Sequence, residues 1–350
     1  MSRSPRAAPL DRVKLALREI LGLEADLIQQ KSDSQNADLL LNAPDVEFAV
    51  EWKAVGDAAN VGSAVRQLSV LKKKKKGRSK SVVPIVAVPF MGETGRRLSA
   101  EAGISWIDLS GNAWIDAPGR QIRILGHPNR FTSRGRPANV FAPKSSRVIR
   151  ALLIAPERAF MQAELVEATG VDKGRVSRLL RRLEDMSLVA RENSAIRLKE
   201  PSLVLEAWRE AYDFEKHDIL RGHVGVRSSD ELIRRLFAKS SSSKGRYALT
   251  GLAGAWYLTR FAGFRLTTVF TSEIPSKKWL DAIGFQEQLR GANLWLVRPV
   301  DDGVFDGTRV IDGVSTAHPI QVYLDLKAHP ERASEAAAEV RSRFLNWSGA

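Results

Sequence analysis

Residues 172–198, DKGRVSRLLRRLEDMSLVARENSAIRL, limit what this chain can fold into more than any other stretch. Val176, Leu179, Leu180 and Leu183 recur at i, i+3, i+4 and i+7, the spacing of one buried helical face. Outside that face stand Lys173, Gly174, Arg175, Ser177, Arg178, Arg181 and Arg182, a dense set of donors for phosphates and base edges with almost no carboxylate among them. Asp172 is placed to cap the helix, because its carboxylate can accept from the first free N–H groups. Ahead of it, AELVEAT (163–169) predicts a short helix that Gly170 closes into a tight turn. Behind it, LVAREN and AIRLKE read as two short strands joined near Glu192–Ser194. Helix, glycine turn, basic helix and hairpin add up to a winged helix-turn-helix. Lys173, Arg175, Ser177, Arg178, Arg181, Arg182 and, on the wing, Arg191 are its candidate DNA-binding residues. An amphipathic core helix with a solvated basic face is the competing reading, and it leaves turn and hairpin unexplained.

Charge supports a polyanionic partner, but by placement more than by total. The 350 residues carry a formal net charge of +14. Residues 146–215 hold 12 basic and 12 acidic side chains and are neutral overall, yet five of those bases crowd into 173–182. The chain has no cysteine, which excludes thiol catalysis, Cys-ligated zinc and disulfides. The N-terminal MSRSPRAAPLDRVKL lacks the apolar core of a signal peptide, and VVPIVAVPFM (82–91) is too short to span a bilayer. The expectation is a soluble, cytoplasmic protein with no membrane partner.

The chain divides by composition into residues 1–140, 141–216 and 217–350. The first segment opens with a helix, RVKLALREILGL, whose Val13, Leu17, Ile20 and Leu21 share a face. Two strand-like runs follow, ADLLLN (37–42) and VEFAVEWKAV (46–55), with NAPD as their turn. A helix (NVGSAVRQLSVLKK) and an apolar strand (PIVAVPFM) complete an α/β order. Glu51 and Lys53 are two apart on a strand, so both leave the same face. An antiparallel hairpin would bring Asp38 opposite Glu51. Asp45, in Pro44-Asp45, is a rival first acid that sits in the turn. Two carboxylates and a lysine on one face can hold Mg²⁺ and activate water for phosphodiester cleavage.

Asp38…Glu51-Trp-Lys53 resembles the acid, acid and lysine of the PD-(D/E)xK nuclease superfamily, and the order of elements over roughly residues 10–125 is similar to its core. The resemblance implies catalytic roles for Asp38, Glu51 and Lys53, auxiliary helix positions at Glu19 and Gln67, and Mg²⁺ on Asp38 and Glu51 if the site is active. A solvated Glu–Lys pair, or a nuclease fold kept without chemistry, stays open beside it. Lys72, Lys73, Lys74, Lys75 and Lys76, followed by Gly77, Arg78 and Lys80, read as a loop of repelling charges. That loop is either merely solvated or a phosphate-gripping arm. Beyond it, strands are expected at 104–109, 113–117 and 121–125, with Asp108 and Asn112 as hairpin residues.

RFTSRGRPANVFAPKSSR (130–147) has no periodicity and marks a boundary. SRVIRALLIA (146–155) is the expected first helix of the winged domain, and LVLEAWREAYDFEK a helix that follows the wing. The last segment predicts an α+β domain: helix DELIRRLFAKS, a small-residue helix from Gly251, strands at RLTTVFTS, ANLWLVRP and PIQVYLDL, and a final helix HPERASEAAAEVRSRFLNW. It lacks the Gly-Ser loop and paired aspartates of a nucleotidyltransferase, and Asp325 alone does not replace them. The five histidines (127, 217, 223, 318, 329) show no metal-ligand spacing.

AGISWIDLSGNAWI, FAPKSSRVIRALL, LEAWREAYDF, YALTGLAGAWYL and PIQVYLDLKAHPERASEAAAEVRSRF together resemble the AbiEi-like antitoxins of type IV toxin–antitoxin systems, over about residues 95–345. That resemblance implies a regulator that binds double-stranded DNA, represses its own promoter and opposes a nucleotidyltransferase-like toxin. The nuclease-like first segment departs from the family's simplest two-domain form. The fold expected is thus multidomain, α/β and α+β: a PD-(D/E)xK-like N-terminal domain, a central winged helix-turn-helix and a C-terminal α+β domain for protein partners. A homodimer is a separate open expectation, and the helix after the wing either serves as its interface or returns onto the winged domain. The alternative function is a Mg²⁺-dependent nuclease targeted by the winged helix.

Overall fold

The computed structural model describes residues 7–22, 28–30, 37–43, 46–74, 81–131, 140–186, 188–240, 245–261, 263–273 and 275–347. The chain separates into two compact units, Met1–Pro137 and Ala138–Ala350.

Unit 1 runs α1 (Ala7–Leu21), β1 (Ile28–Gln30), β2 (Leu39–Asn42), β3 (Val46–Trp52), α2 (Ala58–Lys74), β4 (Ser81–Val88), α3 (Glu93–Glu101), β5 (Ser105–Asp108), β6 (Ala113–Ala117) and β7 (Arg120–Ile124). Its seven strands lie in sequence order. The centre, β3–β4–β5, is parallel and both flanks are antiparallel. Helices cover both faces, so β3 and β4 are buried on both sides and read as near-continuous apolar runs. On one face Val13, Leu17 and Leu21 of α1 join Leu39, Leu41, Phe48, Val50 and Ile85. On the other, Val61, Ala64, Val65 and Leu68 of α2 join Ala49, Val86, Val88 and Trp106. The β5–β6 turn is built around buried Asp108. Its carboxylate accepts from the Ser110, Asn112 and Met91 backbone N–H groups and the Asn112 amide. Asn112 in turn pairs with the His127 backbone.

Unit 2 begins with α4 (Pro143–Ile154), β8 (Phe160–Met161), α5 (Gln162–Thr169), α6 (Lys173–Asp185), β9 (Val189–Glu192) and β10 (Ala195–Leu198), then α7 (Pro201–Ala211). It continues with β11 (Asp218–Val224), α8 (Ser229–Ser240), β12 (Tyr247–Thr250), α9 (Gly251–Thr259), β13 (Thr267–Thr271), α10 (Lys277–Ile283), β14 (Phe285–Glu287), β15 (Leu294–Arg298), β16 (Arg309–Ile311), β17 (Val314–Thr316), α11 (Pro319–Asp325) and α12 (Ala333–Phe344). A small antiparallel sheet, β8–β10–β9, carries the wing, and a seven-stranded mixed sheet, β14–β11–β15–β13–β12–β17–β16, carries the rest.

PIQVYLDL is not a strand. Residues 319–325 form α11, and all seven are buried. Full burial removes the polar positions from which a period could be read, so the branched and aromatic content pointed the wrong way. Pro319 supplies a helical φ in the first turn, and His318 Nδ1 accepts the Ile320 N–H at 3.2 Å.

The halves of unit 2 share buried polar groups. Asp325 is buried and accepts from Tyr212 OH at 2.5 Å, from Gln321 Nε2 at 2.6 Å and from Thr250 Oγ1. Burial nonetheless raises its pKa to about 7. Glu206 of α7 accepts from Tyr323 OH at 2.7 Å, and Lys327 donates to the backbone carbonyls of Arg209, Glu210 and Tyr212 at the end of α7. That is a cation on the negative end of a helix.

Candidate nucleic-acid interface

Helix α5 ends at Gly170, whose φ of 63° is open to glycine at little cost, and three residues later α6 begins. Asp172 Oδ1 accepts the Arg175 N–H at 2.8 Å and caps α6. Val176, Leu179, Leu180 and Leu183 are all buried, so the apolar stripe fixes the rotation of the helix. Rotation in turn decides what faces water. Lys173, Arg178, Arg181 and Arg182 are exposed, while Arg175 and Ser177 are half-buried at the edge of the stripe. Arg175 also lies 3.5 Å from the Asp172 carboxylate, which orients it across the first turn. Gly174 leaves the space beside Arg178 empty, since a Cβ there would come 3.5 Å from its Nη1.

The wing is a two-residue hairpin. Glu192 pairs with Ala195, and Asn193 and Ser194 take φ of 48° and 70°. Such a turn twists with its strands, and Asn tolerates the left-handed region better than most residues. Arg191 Nε donates to Glu184 Oε1 of α6 at 2.8 Å, so this candidate is already partnered and ties wing to helix.

A second candidate lies in unit 1. The β2–β3 register pairs Leu39 with Val50, and continuing it sets Asp38 opposite Glu51. Asp38 Oδ2 accepts the Trp52 N–H at 3.0 Å. Glu51 is 4 % exposed, with Lys53 Nζ 2.8 Å from one oxygen and Gln67 Nε2 3.0 Å from the other. Burial raises the Glu51 pKa against the pull of Lys53, and the charge of Asp38 adds to the rise. Asp38, Glu51, Trp52 and Lys53, with Pro9 and Leu10 of α1, line a cleft of about 370 Å³. Asp38, Glu51, Lys53 and Gln67 therefore converge.

Glu19 does not join them. It is exposed on α1, nine residues beyond the turn that borders the cleft, or about 14 Å along the axis. Lys72, Lys73 and Lys74 belong to the last turn of α2, not to a loop, while Lys75 and Lys76, like Asp45, lie outside the described residues. Lysine is a good helix former, and the apolar stripe upstream carries the helix into the run despite the repulsion. Among the described residues no three His, Asp or Glu side chains group as a metal site, and no helix is long and apolar enough to cross a membrane.

Two arginines of α4 escaped the sequence reading. Arg147 Nε lies 2.6 Å from Asp301 Oδ1, and buried Arg150 donates through Nη2 to Gln321 Oε1 at 2.5 Å. Nothing local signals partners 154 and 171 positions away.

No curated protein and no solved structure matches the chain. Residues 142–195, from the residue capping α4 to the first residue of β10, match the family model of the MarR family, and this match supports a winged-helix domain of a DNA-binding regulator.

Proposed function

We propose that the protein is a DNA-binding transcriptional regulator of the AbiEi-like antitoxin type. It holds duplex DNA with α6 in the major groove and the β9–β10 wing alongside. The observation that carries this reading is the composition of α6 at its observed rotation: exposed Lys173, Arg178, Arg181 and Arg182 opposite a fully buried leucine–valine stripe. Lys173, Arg178 and Arg181 stand exposed on that face, and each phosphate such a cation meets releases a condensed counterion. Arg175, Ser177 and Arg178 sit in the N-terminal half of α6, where base edges are read. The toxin partner, a nucleotidyltransferase-like protein, and self-repression rest on the sequence resemblance alone, and homodimerisation is consistent with both.

The test is a footprint on a duplex selected by the full chain from a random-sequence pool. Changing Arg175 and Arg178 together to Ala should abolish preference for that duplex, at about 1–3 kcal/mol for each bidentate pairing with a base edge that the change removes. Full preference in the double variant would sink the assignment.

A second reading, a Mg²⁺-dependent nuclease, is favoured by one observation, the convergence of Asp38, Glu51 and Lys53 on the cleft, with Gln67 donating to Glu51. Two carboxylates suit a cation that keeps most of its water, so Asp38 and Glu51 would hold it. A bound divalent cation would supply an acidified water. Lys53 and Gln67 position Glu51 whether or not the cation is present.

A further inference from the structure

Helix α4 packs against α5, α6 and β10 of the winged domain, and also against the turn Asp302–Phe305 and α11. Two side chains one turn apart on it reach out of the winged domain. Arg147 is the more informative. Its Nε lies 2.6 Å from Asp301 Oδ1, while its Nη1 is 3.5 Å from the carbonyl oxygen of Thr169. Thr169 is the last residue of α5, and Gly170 behind it turns the chain towards α6. One guanidinium thus joins the segment after β15 to the carbonyl end of α5, the place on a helix where a cation is favoured.

The link is built on both sides. Asp301 Oδ1 also accepts the Gly303 N–H at 2.8 Å, so its carboxylate is held before Arg147 arrives. A Cβ at Gly303 would come within 2.9 Å of Arg147 Cγ, so the close approach requires glycine. Thr169 is held too, its hydroxyl donating to the Leu165 carbonyl at 2.5 Å and accepting the Val171 N–H at 3.4 Å. The Asp301 side chain is only 12 % exposed and that of Arg147 29 %, and their separation is that of a short charge-assisted bond. An isolated surface pair would do little. This one is enclosed and anchored at each end. Arg150 adds a second tie, buried over the Trp208 ring at 5.0 Å and bonded to Gln321, with Asp306 the strongest favourable charge upon it.

We propose that Arg147 is a positioning residue for DNA reading: with Asp301 it transmits the placement of the C-terminal half of unit 2 to the turn that aims α6. This rests on the DNA-binding reading above. Base-edge contacts hold only if the helix is kept to about half an ångström, whereas phosphate contacts are tolerant. Loosening the link should therefore cost discrimination and leave non-specific binding alone.

The experiment uses the full chain, a duplex it selects from a random pool and a scrambled duplex of equal length and composition. Affinity for both is read by fluorescence anisotropy over a salt series, with thermal melting alongside. Asp301→Asn and Arg147→Gln should each lower the ratio of selected to scrambled affinity about tenfold, the order of one misaligned bidentate contact. The double variant should be no worse than either single, because both break one link. Gly303→Ala should reproduce the loss without changing a charge, which keeps the test decisive should Arg147→Gln fail to fold. Scrambled affinity and salt slopes should match the parent. An unchanged ratio in folded Asp301→Asn overturns the proposal. So does tighter binding to both duplexes, which would make Asp301 a charge that merely repels DNA. A parent that prefers no duplex removes the DNA reading itself, and the link with it.

Discussion

Lowering the pH from 7 to 5 should cost unit 2 about 3 kcal/mol of stability. Burial lowers the pKa of His217 and His329 to about 4 and that of His318 to about 3. Each is thus neutral in the folded protein where the unfolded chain, with a pKa near 6.5, takes up a proton. A depressed histidine contributes stability above its unfolded pKa and loses it as pH falls. Between pH 7 and 5 each loses about 1.9 kcal/mol, or about 5.6 for the three. Asp325 acts in the opposite direction. Its folded pKa of about 7 lies above the ordinary 3.8, so the folded state binds a proton that the unfolded state does not. Acidification through this window favours folding by about 2.3 kcal/mol, which leaves the net loss near 3. The exposed ion-paired carboxylates Glu164, Glu231 and Glu335 have lowered pKa values and titrate below the window. The assay is urea unfolding of the full chain at pH 7, 6 and 5, followed by circular dichroism. Asp325→Asn should deepen the acid loss by about 2.3 kcal/mol, because it removes one opposing group while Asp306, whose pKa burial also raises, still opposes the histidines. A parent whose stability is flat or rises on acidification, or an Asp325→Asn variant with a shallower loss, would refute the linkage.

Other perturbations reach other parts of the molecule. Gly251→Ala should destabilise by about 1–3 kcal/mol in a melting experiment, since φ is +56° and the new Cβ would clash with the His329 ring. Asp108→Ala should lower the unit 1 transition by a similar amount or more, because it strands three backbone N–H groups and the Asn112 amide in a buried turn. Replacing Lys72–Lys76 by Gln should weaken all duplexes alike and flatten the salt dependence by about one log–log unit for each phosphate no longer neutralised; an unchanged slope would make the run a solvated feature only. In an Mg²⁺ or Mn²⁺ titration, Lys53→Met should tighten and Glu51→Ala abolish binding at the cleft, since Lys53 competes for the same carboxylate oxygen.

What could be read without coordinates follows from how each element is buried. Helix α6 shows one face to the core and one to water, so period, cap and turn were all visible in 170–183. The strands of the β2–β3 hairpin and β4 were legible from apolar runs between turn residues. Helix α11 was not, because it is buried all round. The edge strands β14 and β16, and β17 beside β16, are three residues each, too short for alternation to register. Within the candidate sites, Asp38, Glu51, Lys53 and the α6 cations stand close in sequence to the elements that place them. Arg147–Asp301, Arg150–Gln321 and Tyr212–Asp325 pair across more than a hundred residues, and only the folded chain brings them together.

The two sites also differ in what their charge is free to do. On α6, Lys173, Arg178 and Arg181 are spread over an exposed face, so a phosphate can approach them directly from solvent. In the cleft the balance is reversed. Lys53 is committed to buried Glu51 at 2.8 Å, and Asp38 adds a further negative charge, so the lining is net anionic. A phosphodiester would be repelled there at any ionic strength low enough to preserve surface electrostatics. Only a cation on Asp38 and Glu51 inverts that sign. DNA affinity measured in a chelator should therefore come from features such as α6 and the lysine run and be insensitive to Glu51→Ala. An effect of Glu51→Ala that appears only when Mg²⁺ is added would mark the cleft as a cation-dependent site, and one that appears without it would show that the carboxylates act on DNA by repulsion.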